Sequence, residues 1–233
     1  MKKWSLLLAA AALVAGVSAN AANVASTGEG VGILNDTFDV TCGTLLFNAD
    51  GTYENGYAWQ YGGIVAPQYG AFAEKYDSVG LMVCSIVMDL TQVGNDVGQT
   101  CDLYAWEDAG GLPGLVLGVA TGYNPSTIAF WPSLSRHTGA ITAECSSSSA
   151  TWVGYWANWP NAVAGWYVGA DQDGFGGYPY TNIAPGIGYP TGWNNVSIVW
   201  GPTQAIGLGA EFVTCPDVPI ENKTWGQIKS LYQ

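Results

Sequence analysis

Two stretches near the middle of the chain decide the fold: residues 81–90 read LMVCSIVMDL and residues 100–107 read TCDLYAWE. The first stretch is nearly continuous apolar, which is typical of a buried strand. The second stretch alternates, so that Leu103 lies on one face and Tyr104 and Trp106 lie on the other. Neither pattern has the 3.6-residue period of a helix.

Further strand patterns extend outward from this pair. Residues 108–114 (DAGGLPG) are dense in turn-forming residues, and a strand is expected directly after them, over 115–120. The other strand patterns cover residues 151–157, 164–170, 196–200 and 205–213. The patterns at 151–157 and 164–170 predict a hairpin around residues 158–161 (NWPN). Many short strands separated by turn signals predict an all-β protein, an antiparallel β-sandwich of jelly-roll type, with a short C-terminal helical tail.

The beginning of the chain has the pattern of a signal peptide over residues 1–22. Lys2 and Lys3 precede an apolar run over residues 6–17, and small residues follow, with cleavage expected near Ala21 or Ala22. The apolar run is shorter than the roughly 20 residues that cross a membrane as a helix. We therefore expect export, a secreted or cell-surface location and no transmembrane segment.

The rest of the chain divides into three parts. Residues 23–49 are expected to form a Gly-rich leader, flexible over 23–35, and a first strand, and residues 50–215 the sandwich domain. Residues 216–233 are expected to form a linker and a short helix. In that helix Trp225, Ile228 and Tyr232 would share one face. Because so short a helix is marginal in water, it must dock on its own sandwich or on a partner.

The charge balance restricts the partners. The chain has 6 basic and 18 acidic residues and a net charge of −12. Loss of Lys2 and Lys3 with the signal peptide would make the net charge more negative. Nucleic-acid binding requires a basic patch, so we expect no nucleic-acid partner. Neutral polymers such as glycans, cell-surface polymers, copies of the same chain and divalent cations remain as partners.

Five cysteines follow the predicted signal peptide, and an exported protein can form disulfides. Cys84 and Cys101 lie on neighbouring strand patterns and are the first expectation for a bridge. A second bridge between Cys42 and Cys215 would join the two ends, which leaves Cys145 as the odd thiol. Sequence alone does not fix the pairing.

The run YAWEDAGGLPGLVL, over residues 104–117, resembles a strand–turn–strand unit of secreted β-sandwich proteins from environmental bacteria, with the turn D-x-G-G-x-P-G. The run TWGQIKSLY, over residues 224–232, is similar to a T-W-G-x-I-K-x-L-Y tail in the same kind of protein. With two further stretches, the resemblance covers roughly residues 50–233. It implies export and a sandwich fold, and it assigns no functional residue.

One candidate ligand site is a set of aromatic residues. Its members are Trp152, Tyr155, Trp156, Trp159, Trp166 and Tyr167. Alternation places Trp152 and Trp156 on one face and Tyr155 on the other, so some rings should project outward. Exposed rings can stack on sugars, whereas the same rings can instead fill the core.

A second candidate site is the loop over residues 171–177 (DQDGFGG), where Asp171 and Asp173 could bind calcium. The alternative is an Asp- and Gly-rich turn without an ion. No other cofactor is expected.

Catalytic patterns are weak. His137 is the only histidine, and the G-x-S-x-G motif is absent from the sequence. A glycosidase needs two nearby carboxylates, for which Glu107 with Asp108, and Glu54, are the candidates. We therefore expect no catalytic residues and a non-catalytic binding or adhesion module. The alternatives are a self-assembling subunit of a filament or surface layer and, third, a glycan-active hydrolase.

Overall fold

The computed structural model describes residues 24–35, 41–60, 68–94, 98–157 and 165–216. The predicted signal peptide over residues 1–22, the predicted linker and helix from residue 217 onward, and Trp159 lie outside these residues. The elements in chain order are β1 (Val24–Ser26), β2 (Gly32–Leu34), β3 (Thr44–Phe47), β4 (Thr52–Tyr53), β5 (Asn55–Trp59), β6 (Ala71–Asp77), β7 (Leu81–Thr91), β8 (Cys101–Asp108), β9 (Pro113–Tyr123), β10 (Ser133–Ala140), β11 (Ala150–Trp156), β12 (Tyr167–Asp171), β13 (Tyr180–Ile183), β14 (Gly192–Asn195), α1 (Ser197–Trp200), β15 (Ala205–Ile206) and β16 (Leu208–Thr214).

Eight consecutive strands give the chain its topology. In the larger sheet the order is β5-β12-β7-β10, and in the smaller sheet it is β6-β11-β8-β9, with every neighbouring pair antiparallel. The chain crosses between the sheets at every step from β5 to β12 except the β8–β9 hairpin. This is the double Greek-key order of a jelly roll, so the predicted antiparallel sandwich is confirmed.

The main core lies between the two sheets. Alternating residues of β7 and β8, such as Met88 and Leu103, are fully buried there, as the two-residue period predicts. The helix α1 closes one side of this core, because Trp200 stacks on Tyr57 with ring centroids 4.7 Å apart and an angle of 10°. Among the described residues, no helix has the length and apolar character needed to cross a membrane.

Each sheet also carries a smaller core on its outer face. On the larger sheet, Tyr53 and Leu134 are buried beneath the short strands, and Arg136 forms a bidentate pair with the buried Asp89 at 2.6 Å for both bonds. On the smaller sheet, Tyr104, Trp106 and Trp152 form an aromatic layer. Both sheets therefore bury side chains on their outer faces as well as between them. Alternation along a strand predicts buried side chains on one face and exposed side chains on the other.

The segment predicted to be a flexible leader over 23–35 contains two short strands of the larger sheet, β1 (Val24–Ser26) and β2 (Gly32–Leu34). The strand β1 pairs with β5, and β2 pairs in parallel with β10. Gly30 and Gly32 pack directly on Trp131, where an added Cβ would approach the ring to 3.2 and 2.6 Å. Gly30 and Gly32 therefore allow this segment to pack closely on Trp131.

Both predicted disulfides are wrong. The bonds join Cys42 to Cys84 and Cys145 to Cys215, and the buried free thiol is Cys101. The strands β7 and β8 lie in opposite sheets, which separates Cys84 from Cys101 although the two cysteines are close in sequence. The segment before β3 brings Cys42 beside β7 instead.

Two local predictions are also wrong. The strands before and after residues 158–161, β11 and β12, do not form a hairpin, because they lie in different sheets. Residues 197–200 form α1 rather than a strand. Val196, Val199 and Trp200 contact the main core at helical spacing, which is the signal that strand alternation obscured.

Candidate functional site

Most of the predicted ligand-binding rings are buried. Trp152 and Trp166 are 0% exposed and Tyr155 is 1% exposed, and Tyr167 is also buried. These four residues cannot present a ring face to a sugar, so their prediction as ligand contacts is wrong. Trp152 and Tyr155 are buried because both faces of β11 are covered, one by the opposite sheet and the other by neighbouring aromatic rings, and Trp166 is buried in the main core.

The predicted division of the rings between faces is correct. Tyr155 points into the main core, where it contacts Phe72 at 5.9 Å and Trp166 at 6.4 Å between ring centroids. Trp152 and Trp156 lie on the outer face of the smaller sheet. Of the predicted set, Trp156 is the described residue that keeps part of its ring exposed.

The outer face of the smaller sheet carries what we term the outer aromatic cluster. Its members are Tyr104, Trp106, Trp152, Trp156, Tyr180 and Trp193. The first three are buried and form a floor, whereas Trp156, Tyr180 and Trp193 are only partly buried. The six predicted ligand contacts did not include Tyr180 and Trp193.

Ring contacts hold this cluster together. Tyr104 stacks on Trp106 at 5.1 Å with an angle of 8°, and Trp106 meets the edge of Trp193 at 5.4 Å. Trp152 contacts Tyr180 edge-on at 4.9 Å. Offset-stacked and edge-to-face pairs of this kind are the favoured arrangements of aromatic quadrupoles.

The contact between Trp106 and Trp193 shows that the sheet curls. Their strands, β8 and β14, are four steps apart, which corresponds to about 19 Å in a flat sheet. Two tryptophan side chains cannot bridge that distance and still meet at 5.4 Å. The β13–β14 hairpin therefore folds toward β8, so that the partly exposed rings line the margin of a concave surface.

A small pocket opens beside Trp156. It has a volume of about 210 Å³ and is lined by Thr100, Cys101, Asp102 and Trp156. The indole Nε1 of Trp156 donates a hydrogen bond to the Tyr69 carbonyl at 3.1 Å, which fixes the ring plane. The pocket thus combines an oriented aromatic wall with a hydroxyl and a carboxylate.

Polar groups around the outer aromatic cluster are also positioned, Asp102 at the pocket and Lys75 opposite Trp152. Asp102 Oδ1 accepts a hydrogen bond from the Gly122 amide at 2.8 Å, so β9 holds its carboxylate in place. The Lys75 ammonium lies 4.0 Å from the ring centroid of Tyr178 and 5.7 Å from that of Trp152. Cation–π contacts of this kind anchor the only lysine in the described part of the chain.

The predicted calcium loop brings three carboxylates together. Oxygen atoms of Glu54, Asp171 and Asp173 lie within 4.8 Å of one another. Burial raises the pKa of both Glu54 and Asp171, and neighbouring acidic charges raise it further. Glu54, which sequence analysis considered only as a catalytic candidate, is the member that the prediction missed.

Asp171 also has a purely structural role in this loop. One of its carboxylate oxygens accepts from the backbone amide of Asp50, and the other from those of Asp173 and Gly174, at 2.6 to 3.1 Å. An added Cβ at Gly174 would lie 2.0 Å from the carboxylate, so only glycine fits. The turn accounts for Asp171 without an ion, and calcium remains a prediction.

The carboxylates considered for catalysis are engaged in loop structure. Glu107 accepts hydrogen bonds from the amide and hydroxyl of Ser147. Asp108 accepts from the Trp152 indole at 2.7 Å and from the Gly111 amide at 3.1 Å. Glu54 lies in the opposite sheet, so the fold does not bring these candidates into one pair.

His137 forms a close contact with Ser135 on the same strand, with 2.7 Å between Nε2 and Oγ. The Ser135 hydroxyl also accepts the amide of Ala129 at 3.0 Å, which ties the preceding loop to β10. The pair therefore has an evident packing role.

Two further buried carboxylates bind loop backbone. Glu74 accepts hydrogen bonds from the amides of Tyr178 and Ile206 and from the Asn48 side chain, and burial raises its pKa to about 8. Glu211 lies beside the Cys42–Cys84 bond. Burial acts to raise its pKa, but hydrogen bonds from Ser85, Thr41 and Cys42 outweigh burial and lower it.

Comparisons of the chain with protein-family models, with curated proteins and with solved structures found no match. The geometry of the described residues is therefore the basis for any functional assignment.

Proposed function

We propose that this protein is a secreted, non-catalytic binding module that contacts a neutral glycan, free or on a cell surface, through the Trp156 pocket. The observation that carries the proposal is the oriented, partly exposed Trp156 ring beside Asp102 and Thr100. Sugar rings present apolar C–H faces and polar hydroxyl edges. An aromatic wall beside a carboxylate and a hydroxyl matches both.

The curled sheet margin supports an extended ligand. Tyr180 and Trp193 remain partly exposed above the buried floor of the outer aromatic cluster. Their rings lie at the hairpin side of the concave surface and Trp156 at the end of β11. A polymer could contact both places, whereas a single sugar would fill the pocket alone.

The charge and the disulfides agree with this proposal. A net charge of −12 disfavours polyanionic ligands and leaves neutral polymers. Two disulfides suit an oxidising, exported compartment, as the signal-peptide pattern predicts.

The proposal is tested by measuring binding of the purified protein to a panel of neutral polysaccharides by titration calorimetry. Trp156→Ala should weaken binding about tenfold, because one ring contact contributes about 1.4 kcal/mol. Phe130→Ala is the matched control, since Phe130 is 62% exposed but follows β9 at a place remote from the cluster in the sheet order. Absence of binding to every polysaccharide, or equal losses in both variants, would refute the proposal.

Self-assembly into a filament or surface layer is the second candidate. The observation that favours it is a row of exposed apolar side chains on β9, the last strand of the smaller sheet among the described residues. Leu115 is 68% exposed, and Val116 and Val119 are 41% and 46% exposed. The Glu144 amide occupies one carbonyl of this edge, that of Leu117, and the exposed apolar side chains can contact another chain. A sedimentation coefficient independent of protein concentration would exclude this candidate.

A further inference from the structure

An acidic and apolar surface surrounds the point where the described chain stops. Cys215 is bonded to Cys145, with 5.9 Å between their Cα atoms, and its amide donates to the Gly80 carbonyl at 2.9 Å. Next to Cys145, the Glu144 amide donates to the Leu117 carbonyl of β9 at 2.8 Å. The disulfide therefore fixes Pro216 beside both the β6–β7 turn and β9.

The apolar part of this surface, which we term the exit surface, consists of exposed side chains near these contacts. Its members are Val79, Leu112, Leu115, Val116 and Val119, which are between 41% and 76% exposed. The acidic residues Asp77 and Glu144 are exposed at its margin, and Glu107 lies at the end of β8. Apolar area on this scale normally marks a contact site.

The segment from residue 217 onward has the complementary composition. Its sequence, DVPIENKTWGQIKSLYQ, contains the apolar residues Trp225, Ile228 and Tyr232 at helical spacing. Its acidic residues, Asp217 and Glu221, come first, and from residue 222 onward the charged side chains are Lys223 and Lys229. In the described part of the chain the only lysine and arginine are Lys75 and Arg136, and both are held by aromatic or acidic partners. These two tail lysines therefore carry the cationic charge that the exit surface lacks.

The chain length allows the segment to reach this surface. Lys223 is seven residues beyond Pro216, and an extended chain spans up to about 24 Å over that length. Glu144 is adjacent to Cys145 in sequence, so it lies well within this range. A tethered segment also has a high effective concentration at its own anchor point, which favours it over a second molecule.

We propose that residues 217–233 dock on the exit surface of the same molecule, with apolar contacts to β9 and with Lys223 and Lys229 facing the acidic margin. The docked segment would cover Leu115 and Val116 and so compete with self-association through β9. This inference is independent of the glycan site, because that pocket lies at the start of β8 whereas Leu115 and Val116 lie beside its end.

The test is the rate at which trypsin cleaves after Lys223 and Lys229 in the intact protein, compared with a synthetic peptide of residues 217–233. Docking should slow cleavage at least about tenfold, since only the undocked fraction is cut. Cleavage at the rate of the free peptide would overturn the proposal.

Variants locate the docking site. Leu115→Asp should raise the cleavage rate to that of the peptide, because it places a charge in the apolar contact without disturbing a buried position. Val93→Asp is the matched control, since Val93 is 55% exposed at the end of the larger sheet, and it should leave the rate unchanged. Melting temperatures of both variants confirm that each is folded.

Two results would contradict the proposal even if the segment is protected. Equal cleavage in Leu115→Asp and in the wild type would show that it docks elsewhere. Protection that increases with protein concentration would show that the occupant is a second copy.

Discussion

Asp108 shows how one side chain can join a turn to an aromatic core. Its two carboxylate oxygens accept hydrogen bonds from the Trp152 indole and from the amide of Gly111, which has a φ of 93°. The first aspartate of the D-x-G-G-x-P-G run thereby fixes both the glycine turn and a fully buried tryptophan. This contact gives the motif a structural explanation that requires no ligand.

Replacing Asp108 tests this explanation. Asp108→Ala should lower the free energy of unfolding by about 2 kcal/mol, because it leaves the buried Trp152 N–H without its acceptor. Asp108→Asn retains an acceptor oxygen and should lower the free energy of unfolding by less than Asp108→Ala does. Urea denaturation measures both, with the exposed Asp77→Ala as the control. A loss in Asp108→Ala no larger than in the control would contradict the structural role.

Calcium binding at Glu54, Asp171 and Asp173 is a second prediction at the residue scale. Calcium at one hundred times its Kd would stabilise the folded state by about 2.7 kcal/mol and raise the melting temperature relative to EDTA. Glu54→Gln should remove most of this increase, whereas Glu144→Gln, an exposed position elsewhere, should retain it. Identical melting curves in calcium and EDTA would leave the loop as a turn held by Asp171 alone.

At the scale of elements, the hydrophobic pattern of the sequence predicted where the strands lie. The boundaries of β7 and β8 agree with the predictions at 81–90 and 100–107 to within a residue or so. The short helix α1 was missed because four residues are too few to establish a helical period, although Val196, Val199 and Trp200 carry it. The partners of each strand could not be predicted, since local alternation contains no information on which sheet a strand joins.

The disulfides belong to the same scale because each joins elements that are distant in sequence. Loss of the Cys145–Cys215 bond in Cys145→Ser/Cys215→Ser should destabilise the protein by about 4 kcal/mol, as expected for a loop of 70 residues. Cys101→Ala removes no crosslink and is the control, and it should lower the free energy of unfolding by less than the double variant does.

Thiol titration checks the pairing independently. Burial raises the pKa of the Cys101 thiol, so the native protein should react slowly with a thiol reagent. One thiol per chain should appear on unfolding without a reductant, and peptide mapping should identify it as Cys101. Recovery of a peptide that links Cys84 to Cys101 would contradict the structure.

At the scale of the whole molecule, buried carboxyls make stability depend on pH. Burial raises the pKa of Glu54, Glu74, Asp89 and Asp171, and for Glu74 the value is about 8. Between about pH 4.5 and 8 the folded protein therefore holds a proton on Glu74 that the unfolded chain releases. The contribution of Glu74 is complete below about pH 4.5, its ordinary pKa, and is lost as the pH rises through 8.

The free energy of unfolding should therefore fall between pH 5 and pH 9. For Glu74 alone the decline is at most roughly 5 kcal/mol, from about 1.4 kcal/mol per pKa unit. Glu74→Gln stays neutral and should show a flatter profile in denaturant titrations across this range, whereas Glu144→Gln should follow the wild type. A Glu74→Gln profile as steep as that of the wild type would show that Glu74 is ionised in the folded protein.

The amino-acid sequence by itself determined the all-β class and most strand positions. It also determined that Trp152 and Trp156 lie on one face of β11 and Tyr155 on the other. These follow from a two-residue period that each strand carries locally. Only the tertiary structure decided the cysteine pairs, the burial of Trp152 and the meeting of Glu54 with Asp171. Each depends on which strands become neighbours and on how far the sheet curls, and both arise from packing between residues far apart in the chain.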